Sequence, residues 1–198
     1  MLSITTVILK GGFMAAKKVV QKERIVEVAC QIVAESGMDG LNMREIAKRC
    51  GCSTQPIYLS FANADELKQA VFKEIVACYD RYVYDEIALH KCPEYKAAGM
   101  AYIRFAKEQP NFFRYMFMRN HTGETMKDME NIFQREANRS AQSGVDSDLA
   151  TIFHTHMWIY VHGIATMYAT GFLNWDWDTV SALLTDEFMA IKSRLEAK

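Results

Sequence analysis

The sequence predicts an all-α protein of about nine helices, with a small N-terminal unit and a larger helical bundle behind it. Three observations carry this. The 198 residues hold 3 prolines and 10 glycines against 12 methionines, so helix breakers are few. Apolar residues recur at i, i+3, i+4 and i+7 in most segments, the period of a helix face. No segment shows the alternation of a half-buried strand.

Each element follows from this pattern. In the segment from 21 to 36, Ile25, Val28, Ala29, Ile32 and Val33 form one apolar face, and Gly37 offers a C-cap. Asn42 followed by Glu45 has capping-box spacing and opens a helix over 43–50, which Gly51 ends. Ser53 is expected to cap a short helix over 54–60. Asn63 with Glu66 repeats the capping box and opens a helix over about 64–89. That helix carries two apolar stripes, so it is expected to join a front core to a rear one. Pro93 and Pro110 suit first-turn positions of helices running to Glu108 and Met118. His121-Thr122-Gly123 reads as a loop, and 124–143 as an amphipathic helix with Met126, Met129, Ile132, Phe133 and Ala137 on one face. Asp146 is expected to cap a helix to about 170, and Asp178 the last helix.

Composition bounds the function. Half of the residues are apolar and 24% are charged, which excludes disorder. No apolar run reaches the roughly 18–20 residues of a membrane span. Residues 1–62 hold eight Lys/Arg against five Asp/Glu, and 63–198 hold fifteen against nineteen. A basic front and an acidic rear point to a polyanion partner for the front alone. The five cysteines show no disulfide or zinc spacing, so reduced thiols and a cytoplasmic location are expected. His154 and His156 stand two apart on a helix and face away from each other, so no metal site is expected, and no cofactor. No nucleophile–base spacing, phosphate loop or carboxylate pair stands out, so no enzyme is expected. Residues 1–16 read as an N-terminal arm. The codons of Lys10-Gly11-Gly12 can spell a ribosome-binding sequence just before Met14, so translation is expected to start there, with 1–13 an over-extended frame.

The front motif is the most informative. Three short helices, the last two joined by a turn at Gly51, form a helix-turn-helix pattern. Ala47 allows close helix approach, and Cys52 and Ile57 fill a small core. Thr54, Gln55 and Tyr58 then face outward from the start of the third helix, where side chains can reach base edges. The run from Leu41 to Phe61, followed by Asp65-Glu66-Leu67, resembles the DNA-binding domain of TetR/AcrR-family transcriptional regulators.

The resemblance implies a homodimer with a helix-turn-helix domain over 17–63 and a ligand-binding and dimerisation domain over 64–198. It implies that Asn42, Arg44 and Tyr58 contact DNA phosphates or backbone, that Thr54 and Gln55 face bases, and that Ser60 belongs to the same surface. Three positions depart from the family. Ser60 stands in place of a large polar residue, Ala64 in place of lysine, and Gln55-Pro56 in place of a Gly-Thr-like pair. Because Pro56 biases Gln55 away from helical angles, a distorted start to the recognition helix is expected.

Trp158-x-x-x-His162-Gly163 resembles a Trp-His-Gly type of C-terminal domain in this family. The expected effector residues are Tyr102, Phe105, Phe113, Phe117, Trp158 and His162, around a hydrophobic or aromatic small molecule. The apolar excess over 148–172 and 178–197 predicts a dimer interface with Val180, Leu184, Phe188 and Ile191. The expected partners are therefore operator DNA, a small-molecule effector and a second copy, and the expected function is a repressor released from a palindromic operator. Two other readings stay open: a DNA-binding protein without an effector, and an all-helical carrier or enzyme that has lost DNA binding.

Overall fold

The computed structural model describes residues 20–120 and 127–197. The expectations for the arm over 1–16, the start at Met14 and the loop at 121–123 lie outside the described residues. Among the described residues there are nine α-helices and no strand.

Helix α1 (Lys22–Ser36) buries Ile25, Val28, Ala29, Ile32 and Val33, the stripe expected from its spacing. Its last bond runs from the Gly37 N–H to the Val33 carbonyl at 2.8 Å, and the Gly37 φ of 70° then turns the chain out of the helix. A single 3₁₀ turn, Met38–Gly40, follows. A Cβ at Gly40 would lie 2.6 Å from the Ser36 Cβ, so this fold-back needs glycine. Helix α2 (Met43–Cys50) is capped as expected: Asn42 Oδ1 accepts the Glu45 N–H at 2.9 Å.

Helix α3 (Gln55–Ser60) starts one residue later than expected, and Thr54, not Ser53, is its N-cap. The Thr54 carbonyl accepts both the Ile57 and the Tyr58 N–H, at 3.1 and 3.2 Å. Pro56 sits in the first turn, where its missing N–H leaves no gap in the ladder. Ile57 and Phe61 are buried and close the three-helix core.

Helix α4 (Ala64–Ala88) is capped by Asn63, whose Oδ1 accepts the Glu66 N–H at 2.9 Å. Glu66 Oε2 accepts the Ala62 N–H in return, at 2.7 Å. The helix buries Leu67, Val71, Ile75, Tyr79 and Val83, while Phe72 and Val76 are half-buried. The two expected cores are one: buried side chains run without a break from α1 to the last helix.

Behind α4 come α5 (Glu94–Glu108), α6 (Pro110–Phe117), α7 (Lys127–Gln142), α8 (Ala150–Ala169) and α9 (Trp177–Glu196). Helix α5 is central and packs against the other four and α4. Its buried Ala97, Ala98, Ala101 and Ala106 allow this crowding. Helix α8 begins later than expected, because Asp146 accepts the Asp148 N–H at 2.8 Å and forms a turn first. Helix α9 is capped by Asp176 rather than Asp178. Asp176 accepts the Thr179 N–H at 2.7 Å and the Thr179 hydroxyl at 3.0 Å. Tyr168 fixes this earlier start by donating its hydroxyl to the Trp175 carbonyl at 2.7 Å and stacking on Trp177.

No described helix is long and apolar enough to cross a membrane. All five cysteines are free thiols, and burial pushes Cys30 up to about 12. Among the described residues no three metal-binding side chains cluster.

Candidate functional site

The helix-turn-helix presents one outward face. Gly51 adopts the left-handed conformation at φ 66°, and the Cys52 N–H closes the turn onto the Ala47 carbonyl at 3.0 Å. This turn joins α2 to α3. On α3, Gln55 is exposed, Tyr58 is 61% exposed and Leu59 is 80% exposed, while Ile57 anchors the helix inward. The Thr54 side chain makes no capping bond. Tyr58 therefore stands where it was expected. Ser60 is half-buried, and its hydroxyl donates to the Pro56 carbonyl at 2.9 Å, a bond within its own helix. Leu59, one position beyond Tyr58 and off the inward stripe of Ile57 and Phe61, is an exposed apolar residue on the same helix.

The cations of this unit divide clearly. Lys22 pairs with Glu66 at 2.7 Å and Arg24 with Glu27 at 2.7 Å. Arg49 pairs with Glu35 at 2.8 Å and Glu45 at 2.9 Å, bonds that hold Glu35 and Glu45 below the usual carboxylate range. Lys48 lies 3.8 Å from Glu45. Among the described residues Arg44 is exposed and no carboxylate engages it. An exposed guanidinium beside the α2 N-terminus has both the charge and the N–H groups a phosphate takes.

The rear bundle holds a partly open cavity of about 710 Å³. Tyr102 of α5, Phe117 of α6 and Trp158 of α8 line it, as expected for effector residues. Phe105, Phe113 and His162 do not; they stand behind the wall. Phe105 is fully buried against Tyr79 and Tyr82. His162 lies between Phe113 and Trp158, with Nδ1 2.8 Å from the Tyr102 hydroxyl. Phe113 and His162 back the wall residues Tyr102 and Trp158 rather than meeting the cavity themselves. A second Tyr–His pair repeats one step along: the Tyr95 hydroxyl lies 2.9 Å from His154 Nδ1. Burial lowers both histidines, His154 to about 4, so both rings are neutral near pH 7.

The cavity also holds charge that the sequence reading missed. Glu136 of α7 is 6% exposed and belongs to the wall. Its signal was its register: Ile132, Phe133, Glu136, Ala137 and Ser140 share one helix face.

Helix α6 touches both units. Phe117 lines the cavity, and Asn111 Nδ2 donates to the Ala34 carbonyl of α1 at 2.9 Å. Arg114 donates to the Ala169 carbonyl at the end of α8.

The expected dimer residues require correction. Val180, Leu184 and Ile191 are 0%, 3% and 4% exposed and lie in the protomer's own core. Phe188 packs on Tyr95 and Phe153. The stripe they form is the inward face of α9. The surface left outside is another one: Ile152 and Ile159 on α8 and Met189 on α9 are exposed, and a Cβ at Gly163 would meet nothing within 4 Å.

A helix-turn-helix joined to a cavity-bearing helical bundle defines a class of DNA-binding regulator. Comparison with known proteins gives the family. Residues 25–71 match the family described as bacterial regulatory proteins, tetR family. Residues 95–188 match the tetracyclin repressor-like C-terminal domain. The chain belongs to the TetR family of transcriptional regulators. Among curated proteins none matches. Solved structures share the fold. A TetR-family protein from Vibrio parahaemolyticus is 22% identical, with a TM-score of 0.60 over 85% of this chain and 97% of that one. A transcriptional regulator from Rhodococcus sp. Rha1 is 18% identical, with a TM-score of 0.61 over 87% and 96%. BioQ, solved with its double-stranded DNA operator, is 18% identical, with a TM-score of 0.53 over 86% and 99%.

Proposed function

We propose that this DNA-binding regulator is a repressor, released from a palindromic operator when a small molecule enters the rear cavity. The cavity of about 710 Å³ carries the reading, because it falls within the size of ligand sites, roughly 300–1,000 Å³, and is walled mostly by aromatic and apolar side chains. It also weighs against a DNA-binding protein without an effector. No catalytic role is proposed.

DNA is taken by the front unit, 17–63. Asn42 and Arg44 meet phosphate, Thr54 and Gln55 meet base edges, and Tyr58 meets the backbone. The domain over 64–198 binds the effector and pairs with a second copy through the outer faces of α8 and α9. A two-fold pair holds its recognition helices about 34–36 Å apart, one turn of DNA. Helix α6 supplies the coupling. A ligand displaces Phe117, and α6 carries the shift to α1 through Asn111. The ligand releases DNA to the extent that it binds the displaced state more tightly.

The test is fluorescence anisotropy of a labelled operator, recovered by selection, in the presence of small-molecule pools. A compound that lowers operator affinity and binds in competition with a bulky substitution at Ala98 supports the reading. Release by a compound whose binding ignores that substitution would place the effector elsewhere.

A further inference from the structure

We infer that the cavity selects a protonated amine with an apolar or aromatic body, whose ammonium meets Glu136. This deepens the effector reading above and rests on it.

The wall is unusual at one point. Glu136 Oε1 accepts Arg135 Nε at 3.1 Å and Arg139 Nη1 at 2.5 Å. Its other oxygen, Oε2, is buried and accepts no hydrogen bond among the described residues. A buried carboxylate oxygen without a donor is costly, and a ligand N–H removes that cost. The local charges do not oppose a cation. Arg135 also pairs with Asp80 at 2.8 Å, so two arginines face two carboxylates, and Glu94 lies 4.0 Å from Arg139.

The surroundings suit a cation as well. Tyr79, Tyr95, Tyr102, Phe133 and Trp158 present aromatic rings to the same cavity, and ring faces attract cations. Glu136 already acts on two of them: burial first, and the Glu136 charge after it, raise the Tyr79 and Tyr95 hydroxyls above their usual value. Other charges in the wall are weaker partners. Lys91 and Glu130 are exposed, and the Lys96 ammonium donates to the Thr185 hydroxyl at 2.7 Å in an exposed contact. Water screens those charges, whereas Glu136 is only 6% exposed and borders the cavity.

Three ligands matched in shape test this by calorimetry on the full chain at neutral pH: phenylbutylamine, phenylbutanol and phenylbutyrate. The expected order is amine, alcohol, carboxylate, with the amine ahead of the alcohol by about tenfold, the worth of one charge-assisted hydrogen bond. Glu136→Gln should bring the amine down to the alcohol and leave the alcohol unchanged. If that variant fails to fold because Arg135 and Arg139 lose their partner, the ranking on the unaltered protein still decides. Alcohol or carboxylate binding as tightly as the amine overturns the inference and leaves the cavity as the effector site. An amine preference that survives Glu136→Gln overturns the role of this residue. Binding of none of the three overturns both the inference and the cavity reading beneath it.

Discussion

Leu184 and Ile159 separate the inward and outward faces of the α8–α9 pair. Leu184 is 3% exposed, and one of its methyl carbons lies 3.4 Å from where a Gly99 Cβ would stand. Truncating a buried leucine costs about 2–5 kcal/mol. Leu184 also borders the cavity, so its wall is already incomplete and the lower end, about 2–3 kcal/mol, applies. At roughly 2–4 °C per kcal/mol for a chain of this length, Leu184→Ala should lower Tm by roughly 5–10 °C. Ile159 is 60% exposed, so Ile159→Glu should change protomer stability by no more than about 0.5 kcal/mol. In a two-fold pair the same change buries two unpaired carboxylates, and about 3 kcal/mol of lost association weakens the dimer more than about a hundredfold. Light scattering with thermal melts reads both quantities. The expected result is a destabilised dimer for Leu184→Ala and a stable monomer for Ile159→Glu. A stable monomer from Leu184→Ala, or an unchanged dimer from Ile159→Glu, would refute the assignment of the faces.

Other substitutions address the remaining parts. Gln55→Ala should relax base preference at one position by about 1–3 kcal/mol, whereas Tyr58→Phe should weaken binding evenly across sequences; an unchanged consensus for Gln55→Ala removes that residue from base reading. Asn111→Ala removes the bond to the Ala34 carbonyl, worth about 0.5–1.5 kcal/mol, and should shrink ligand-induced release by about three- to tenfold with little change in ligand affinity. Equal release in variant and wild type would take Asn111 out of the coupling. His154 is neutral in the fold, with its pKa lowered by burial to about 4 from an ordinary value of about 6.5. The unfolded chain therefore binds the extra proton in that window. Stability present above about pH 6.5 should fall by on the order of 3 kcal/mol as the pH drops to about 4. Denaturant melts across this range should show the loss in wild type and a shallower slope in His154→Gln; parallel curves would exclude the histidine as its source.

Much of the helical order is legible in the sequence because caps and stripes are local. Asn42 and Asn63 each hold their acceptor one side chain from the helix they start, so the residue type names the boundary. Asp176 and Asp178 offer two equal caps, and the choice between them comes from Tyr168 and Trp177, contacts fixed only once the chain turns back between α8 and α9. The same limit explains α9. An apolar stripe shows that Val180, Leu184 and Ile191 are covered, not whether their own protomer or a second copy covers them. Tyr102, Phe117 and Trp158 were readable as cavity residues, but Phe105, Phe113 and His162 have the same chemistry and lie one layer back. Which aromatic faces a void depends on helix crossings that no local pattern encodes. Glu136 was hidden because a glutamate in a polar helix ordinarily faces water.

The most direct measurement is selection of bound sites from random double-stranded DNA by the full-length protein, followed by titration of the recovered site at two salt concentrations. A regulator of this kind should recover a palindromic consensus with half-sites about one helical turn apart, bound about a thousandfold or more over random DNA at the same salt. Binding that weakens with salt yet enriches no sequence would contradict it, because that is the behaviour of a surface that reads phosphate alone.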